Sequence, residues 1–197
     1  MVRILRLGVV AVFAVLGTRS LSAHSSEFIG AKLTTGPGRQ LTVEITADYG
    51  ENPMITSLNE ARTSILANLE VQTEAGFVPL DMLAPIELAK HTQPDRSSPL
   101  PTDPSDKAHQ LLRGTWKWQP PHGQKAVRFR VPEDVVHSTI FWLNDESLPQ
   151  DKRKWSMLLG GDSTPEIPLP AEGRMQIPLV IGVIFVALAT FLWVRRT

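Results

Sequence analysis

The chain has 197 residues, with 20 basic and 20 acidic side chains, 16 prolines, 13 glycines and no cysteine. Disulfides, thiol catalysis and cysteine-ligated zinc or iron–sulfur sites are therefore excluded, and the proline and glycine content favours short elements joined by turns over long helices. Without the arginines near its two ends, Arg3, Arg6, Arg19, Arg195 and Arg196, 15 basic groups face 20 acidic ones, a formal charge of −5, which argues against a nucleic-acid partner.

At the amino terminus, Arg3 and Arg6 precede an apolar run over 7–16 interrupted only by Gly8, and Ser20-Leu21-Ser22-Ala23 supplies small residues for a peptidase. Such a run makes about 15 Å of helix, too short to span a bilayer. Residues 1–23 thus read as a secretory signal peptide, and His24 as the first residue after its removal.

The exported part is one domain's length and long enough to bury a core. Ile29, Ala31 and Leu33 alternate with Gly30, Lys32 and Thr34; Gly36-Pro37-Gly38 makes a turn; Leu41, Val43, Ile45 and Ala47 then alternate with Thr42, Glu44, Thr46 and Asp48. A period of two with one apolar face is a half-buried strand, and the pair reads as an antiparallel hairpin. After Asn52-Pro53, Ile55, Leu58, Ala61, Ile65 and Leu69 recur at three-to-four spacing, which predicts a short helix near 55–67. Leu69 and Val71 return to strand spacing, and Glu74-Ala75-Gly76 turns the chain into a further strand over 77–80. Over 89–109, Pro94, Pro99, Pro101 and Pro104 alternate with polar residues, predicting a long mobile loop whose flanking His91 and His109 need no special role.

The alternation resumes with Leu112, Gly114, Trp116 and Trp118 on one face and Arg113, Thr115 and Lys117 on the other. Pro120-Pro121-His122-Gly123 predicts a turn into a strand over 126–131, and the two together read as a second hairpin. Residues 138–143 read as a strand buried on both faces, and 155–159 as a shorter one. The predicted fold is all-β, a β-sandwich of about seven short strands with one small helix over 24–161. Trp116 and Trp118 could stack on a sugar ring, but same-face aromatics on an amphipathic strand are usually core.

Several of these segments resemble a known family. Ala23-His24, the strand Leu41–Asp48 followed by a helix, and Thr115-Trp116-Lys117-Trp118-Gln119-Pro120-Pro121 ahead of Val127-Arg128-Phe129 are similar to the exported amino-terminal domain of hydrogenase/urease accessory-type (HupE/UreJ-like) membrane proteins. The resemblance implies an exported β domain linked to metal handling. Such proteins carry several membrane helices where this chain has one, so the resemblance does not extend to transport.

Beyond the last strand, the proline-rich segment 162–176 reads as a stiff stalk. Residues 177–194 contain no charged side chain and span about 27 Å as a helix, enough to cross a bilayer. Pro178 suits a first helical turn, Trp193 a membrane interface, and Arg195-Arg196 the cytoplasmic side, leaving 195–197 as the cytoplasmic tail. Leu169-Pro170-Ala171-Glu172-Gly173 ahead of this run resembles the signals cut by sortase-like transpeptidases, departing from them at Glu172 and Ile167. The chain therefore reads as a single-pass membrane protein with its domain on the extracytoplasmic side, periplasmic or at the cell surface.

Motifs for catalysis are missing: there is no Gly-x-Ser-x-Gly elbow, no phosphate-cradling loop ending in Gly-Lys-Ser/Thr and no His-Glu-x-x-His. Asp145, Glu146 and Asp151 lack the spacing and turn glycine of a calcium loop. No catalytic or cofactor-binding residue is named, and no paired carboxylates mark a glycan-acting hydrolase. One metal site is named. A free α-amino group and imidazole on His24 form a chelate suited to copper, which His122 or His137 could close. The leading expectation is a non-catalytic accessory domain with a protein partner in the envelope, binding through an exposed strand edge or the 89–109 loop; a copper module is the alternative, and a glycan-acting hydrolase the third.

Overall fold

The computed structural model describes residues 27–99, 108–144, 152 and 154–170. The expected signal peptide, His24 and the expected membrane helix lie outside them. Among the described residues, no helix is long and apolar enough to cross a membrane.

The described chain is mostly β-strand with one α-helix. β1 (Ile29–Thr35) and β2 (Leu41–Asp48) form the expected antiparallel hairpin, in the register Lys32↔Glu44. The helix α1 (Leu58–Ala67) follows. Its start is fixed by Ser57, whose hydroxyl accepts from Glu60 N at 3.2 Å, while the Glu60 carboxylate reaches back to Thr56 N at 2.8 Å. The cap satisfies the Glu60 amide, which the first turn would leave orphaned, and the return bond ties the residue before the cap to the helix. Ile55, expected inside the helix, precedes it and is buried. β3 (Glu70–Thr73) and β4 (Gly76–Pro79) form a hairpin, and β5 (Glu87–His91) leads to the proline-rich segment. Beyond that lie β6 (Leu111–Trp118), β7 (Ala126–Val127), β8 (Phe129–Arg130), β9 (Thr139–Leu143), β10 (Trp155–Leu158) and β11 (Ile167–Pro168).

These strands make a six-stranded sheet in the order β10-β9-β1-β2-β6-β5, a three-stranded sheet β4-β3-β8 and a two-stranded pair β11-β7. All pairings are antiparallel except β1 with β9, which run parallel with Ile29 opposite Thr139. One face of the large sheet gathers Ile29, Ala31, Leu33, Val43, Ile45, Trp116 and Phe141, covered by Ala61 and Ile65 of α1 and by Val71 and Phe129 of the smaller sheet. The Phe129 and Phe141 rings meet with centroids 5.5 Å apart, a favourable tilted arrangement.

Three expectations from sequence change. First, the described residues hold eleven strands where about seven were expected, and β6 forms no hairpin with the segment that follows it. Both edges of β6 are taken, by β2 and β5, so β7 pairs with β11 and β8 with β3. The expected 126–131 strand is split at Arg128, whose carbonyl accepts from Gln72 N at 2.9 Å. Second, the expected mobile loop begins with a strand, since Ala89, Lys90 and His91 belong to β5. Third, the first part of the expected stalk lies against the domain. Thr164 is buried and exchanges bonds with Phe129, through Thr164 N to Phe129 O at 2.8 Å and Phe129 N to Thr164 Oγ1 at 3.1 Å.

Gly114 is where α1 meets the sheet. A Cβ there would lie 2.6 Å from Cγ2 of Ile65 and 2.7 Å from Cδ1 of Ile86, distances that real carbon atoms do not adopt. Ile65 is fully buried and cannot swing away. Gly114→Ala is expected to cost about 1–3 kcal/mol by overpacking, read as a lower urea midpoint with an unchanged slope.

Candidate functional site

Two neighbourhoods combine exposed or buried chemistry with a cavity. The first lies on the outer face of the large sheet, where a period of two places Gly30, Lys32, Glu44, Thr46, Asp48 and Arg113 together. Lys32 Nζ reaches Glu44 Oε2 and Asp95 Oδ2, each at 2.6 Å, and Arg113 adds contacts to Glu44 at 3.3 Å and Asp95 at 4.0 Å. The Trp142 indole N–H donates to Ser97 Oγ at 3.3 Å. Gly30 gives that indole room to lie across the strand, since a Cβ there would stand 3.3 Å from its ring and push it by a few tenths of an ångström. The segment 94–98 is thereby folded over the sheet, held by Asp95 and Ser97.

Burial pushes the Asp95 carboxyl up, and this is outweighed by hydrogen bonds from Lys32 and Ser97 and by the Lys32 charge, so the net shift is downward from the ordinary 3.8.

At the end of β2 lies the second part of this neighbourhood. Asp48 Oδ1 accepts from Gly50 N at 2.9 Å and Glu51 N at 3.1 Å, which turns the chain out of the strand. Its Oδ2 faces His109 Nδ1 at 2.9 Å, and Glu51 Oε2 lies 3.6 Å from the same nitrogen. His109 is held from both sides of the turn, with His109 N donating to Thr92 O at 3.2 Å and Tyr49 N to Gln110 O at 2.9 Å. The Asp48 and His109 side chains are each only 4% exposed. Both line a cavity of ≈ 60 Å³ shared with Phe28, Gly30, Asp95 and Ser98, roomy enough for water or a small ion.

The second neighbourhood is the outer edge of β10, with which no other strand among the described residues pairs. Leu143 N donates to Lys154 O, and in the antiparallel register Trp155↔Trp142 this turns the backbone groups of Ser156 and Leu158 toward β9 and those of Trp155 and Met157 outward. Trp155, Met157 and Leu159 are each about half exposed. A cavity of ≈ 220 Å³ lies at the start of β10, between Phe141, Leu143, Trp155 and Ser156 on one side and Ile167 and Pro168 on the other.

Of the expected copper ligands, His24 lies outside the described residues. The register separates the other two. His137 precedes β9 at the end of the sheet where Ile29 and Asp48 lie, and its Nε2 is 3.3 Å from Ser64 Oγ of α1. Burial holds its imidazole below the ordinary 6.5. His122 follows β6 at the far end, beyond Trp118, which pairs with Leu41. Leu41 and Asp48 stand seven residue steps apart along β2, or about 23 Å, so the structure does not bring His122 and His137 together. His122 lines a broad cleft of ≈ 530 Å³ with Trp118, Glu74, Arg128 and Glu166. Trp116 is core, as expected, whereas Trp118 is partly exposed to this cleft.

Compared with known protein families, characterised proteins and solved structures, the chain matches none.

Asp95 supplies a pH test. Its folded carboxyl titrates below the ordinary 3.8, so its contribution is complete above about pH 5 and is lost as pH falls through the still lower folded value. Asp95→Asn is expected to cost about 1 kcal/mol near neutrality, because Lys32 keeps Glu44 at 2.6 Å. It should also flatten the fall in stability between about pH 5 and 3. Urea unfolding across that range checks both.

Proposed function

We propose that the chain is an exported, membrane-tethered domain without catalytic activity that binds an extended segment of a partner protein along β10. In this reading the larger and smaller sheets pack as a β-sandwich, residues 1–23 direct export, and residues 177–194 anchor the domain by a single span. The resemblance to HupE/UreJ-like exported domains supports an accessory role.

The observation that carries the reading is the free edge of β10. The outward N–H and C=O groups of Trp155 and Met157 are spaced to pair with another extended backbone in place of water, and the cavity at Trp155 and Ser156 offers a place for a side chain of that segment. Natural sheets blunt such edges with charge, proline or a covering loop. β10 carries none of these within its four residues and exposes Trp155 and Met157 instead. The exposed Lys152 and Lys154 precede it, so a segment with alternating apolar residues and an acidic residue near one end suits it. The opposite edge, β5, is exposed on both faces and charged at Glu87 and Lys90, features that resist strand addition.

A second reading, copper held by His24, is favoured by one observation. The described chain enters the sheet at the end that carries His137, and not at the end that carries His122. An extra residue placed before His24 should abolish a copper chelate that depends on the free amino group.

Met157→Pro tests the leading reading, because proline there removes an outward N–H and leaves the β9 ladder whole. With a photo-crosslinker at Leu159 in the full chain in its native membrane, the expected product joins Leu159 to an extended segment of a second protein. Met157→Pro should lower its yield at least about 10-fold while shifting Tm by only a few degrees. Crosslinks confined to lipid or to this chain itself, or a yield indifferent to Met157→Pro, would overturn the assignment. Truncation after Gly173 should move the protein from the membrane to the soluble fraction, as checked by carbonate extraction.

A further inference from the structure

Asp48 and Glu51 raise a question of charge that the partner-binding reading leaves open. Two carboxylates converge on a single imidazole nitrogen, at 2.9 and 3.6 Å, and His109 is the ion-pair partner of both. Among the described residues no lysine or arginine pairs with either. Elsewhere on the same face the carboxylates of Glu44 and Asp95 are neutralised by Lys32 and Arg113. A neutral imidazole carries at most one proton on Nδ1 and can bond one carboxylate. Asp48 Oδ2 is the nearer of the two carboxylate oxygens, and the half-exposed Glu51 carboxylate stands beside it with His109 as the ion-pair partner they share.

The three donor atoms, His109 Nδ1 and one oxygen from each carboxylate, lie within 4.8 Å of one another. Neighbouring donors around a tetrahedral zinc ion stand about 3.3–3.6 Å apart, given metal–ligand distances of about 2.0–2.2 Å. The 3.6 Å separation fits that range and the 2.9 Å one is shorter. Glu51 can make the remaining adjustment, because its side chain is 36% exposed while Asp48 and His109 are fixed by burial. The cavity lined by Asp48 and His109, with Glu51 outside it, adds room for water beside those two ligands. One nitrogen and two carboxylate oxygens suit zinc and related divalent ions of the first transition row.

We infer that Asp48, Glu51 and His109 form a binding site for one divalent transition-metal ion, with coordination positions open toward the cavity at Phe28, Asp95 and Ser98. The site is built from the domain itself and does not require His24, so it is separate from a terminal copper chelate. It is equally separate from the β10 edge, and either can fail without the other.

The test uses the full chain in detergent, stripped of metal, with zinc ion and a chromophoric chelator in competition. One zinc per chain should bind and raise Tm. Glu51→Gln should weaken binding at least about 10-fold with the metal-free Tm unchanged, because its side chain sits at the surface. His109→Gln should abolish binding, and if that variant does not fold, Glu51→Gln decides the matter. His24→Ala should leave the affinity unchanged. Absence of saturable binding, wild-type affinity in Glu51→Gln, or an affinity that follows His24 would overturn the site.

Discussion

The parallel pairing of β1 with β9 is the constraint on which the rest of the architecture depends. Antiparallel neighbours can be joined by a tight turn, as β1 and β2 are, but a parallel neighbour requires a long crossover. Here the crossover runs from the end of β2 at Asp48 to the start of β9 at Thr139. It must return the chain to the end of the sheet at which β1 began. Along the way it delivers α1 and the small sheet to one face and the segment 94–98 to the other. β1 is thus internal in the sheet and covered on both sides, by apolar packing beneath Ala31 and Leu33 and by Asp95 above Lys32. A lysine whose side chain is only 12% exposed needs compensation, and it receives two carboxylates, Glu44 from the neighbouring strand and Asp95 from the crossover.

Much of this was legible wherever a strand had one wet face and one dry face. β1, β2 and β6 show it, because their inner positions are apolar and their outer ones polar, and α1 shows the helical equivalent together with its cap. β5 was not legible, because Glu87 to Lys90 are exposed on both faces and its pairing with β6 rests on backbone hydrogen bonds, to which side-chain pattern is blind. The segment 162–170 was misread for a related reason. Its prolines lack N–H groups and suggest a free extended stalk, yet Thr164, Ile167 and Leu169 bond or pair through their own backbones and close the edge of the domain. The second hairpin failed on adjacency: Pro120-Pro121 carries the chain off β6, whose two neighbours are already in place.

The polar neighbourhood divides along the same line. Lys32 and Glu44 could be placed opposite one another once the hairpin register was known, since they share a face across a short turn. Asp48 and His109 are separated by 61 positions and meet only because β6 pairs with β2, Asp48 opposite Leu111. No spacing within either segment announces the contact. His109, read as the unremarked flank of a loop, is among the most buried polar side chains in the described chain, and Glu51 joins it through the turn that Asp48 itself shapes.

The two free edges of the large sheet show how one architecture can present opposite behaviours. Among the described residues no strand pairs with the outer edge of β5 or of β10, so geometry alone makes either a template for another strand. Side chains decide between them. On β5, Glu87 and Lys90 keep water at the edge, and Lys117 of β6 adds a contact to Glu87 at 3.8 Å. On β10, Trp155 and Met157 stand beside Trp142 and Ile140, so an arriving strand would bury apolar surface as it formed its hydrogen bonds. Each Å² of apolar area so removed contributes about 25 cal/mol, while on β5 the same step would strip charges of water. The residue types therefore leave one edge of the sheet apolar and the other charged, and the parallel β1–β9 pairing is what carries β10 to its edge on the far side of β1 from β2.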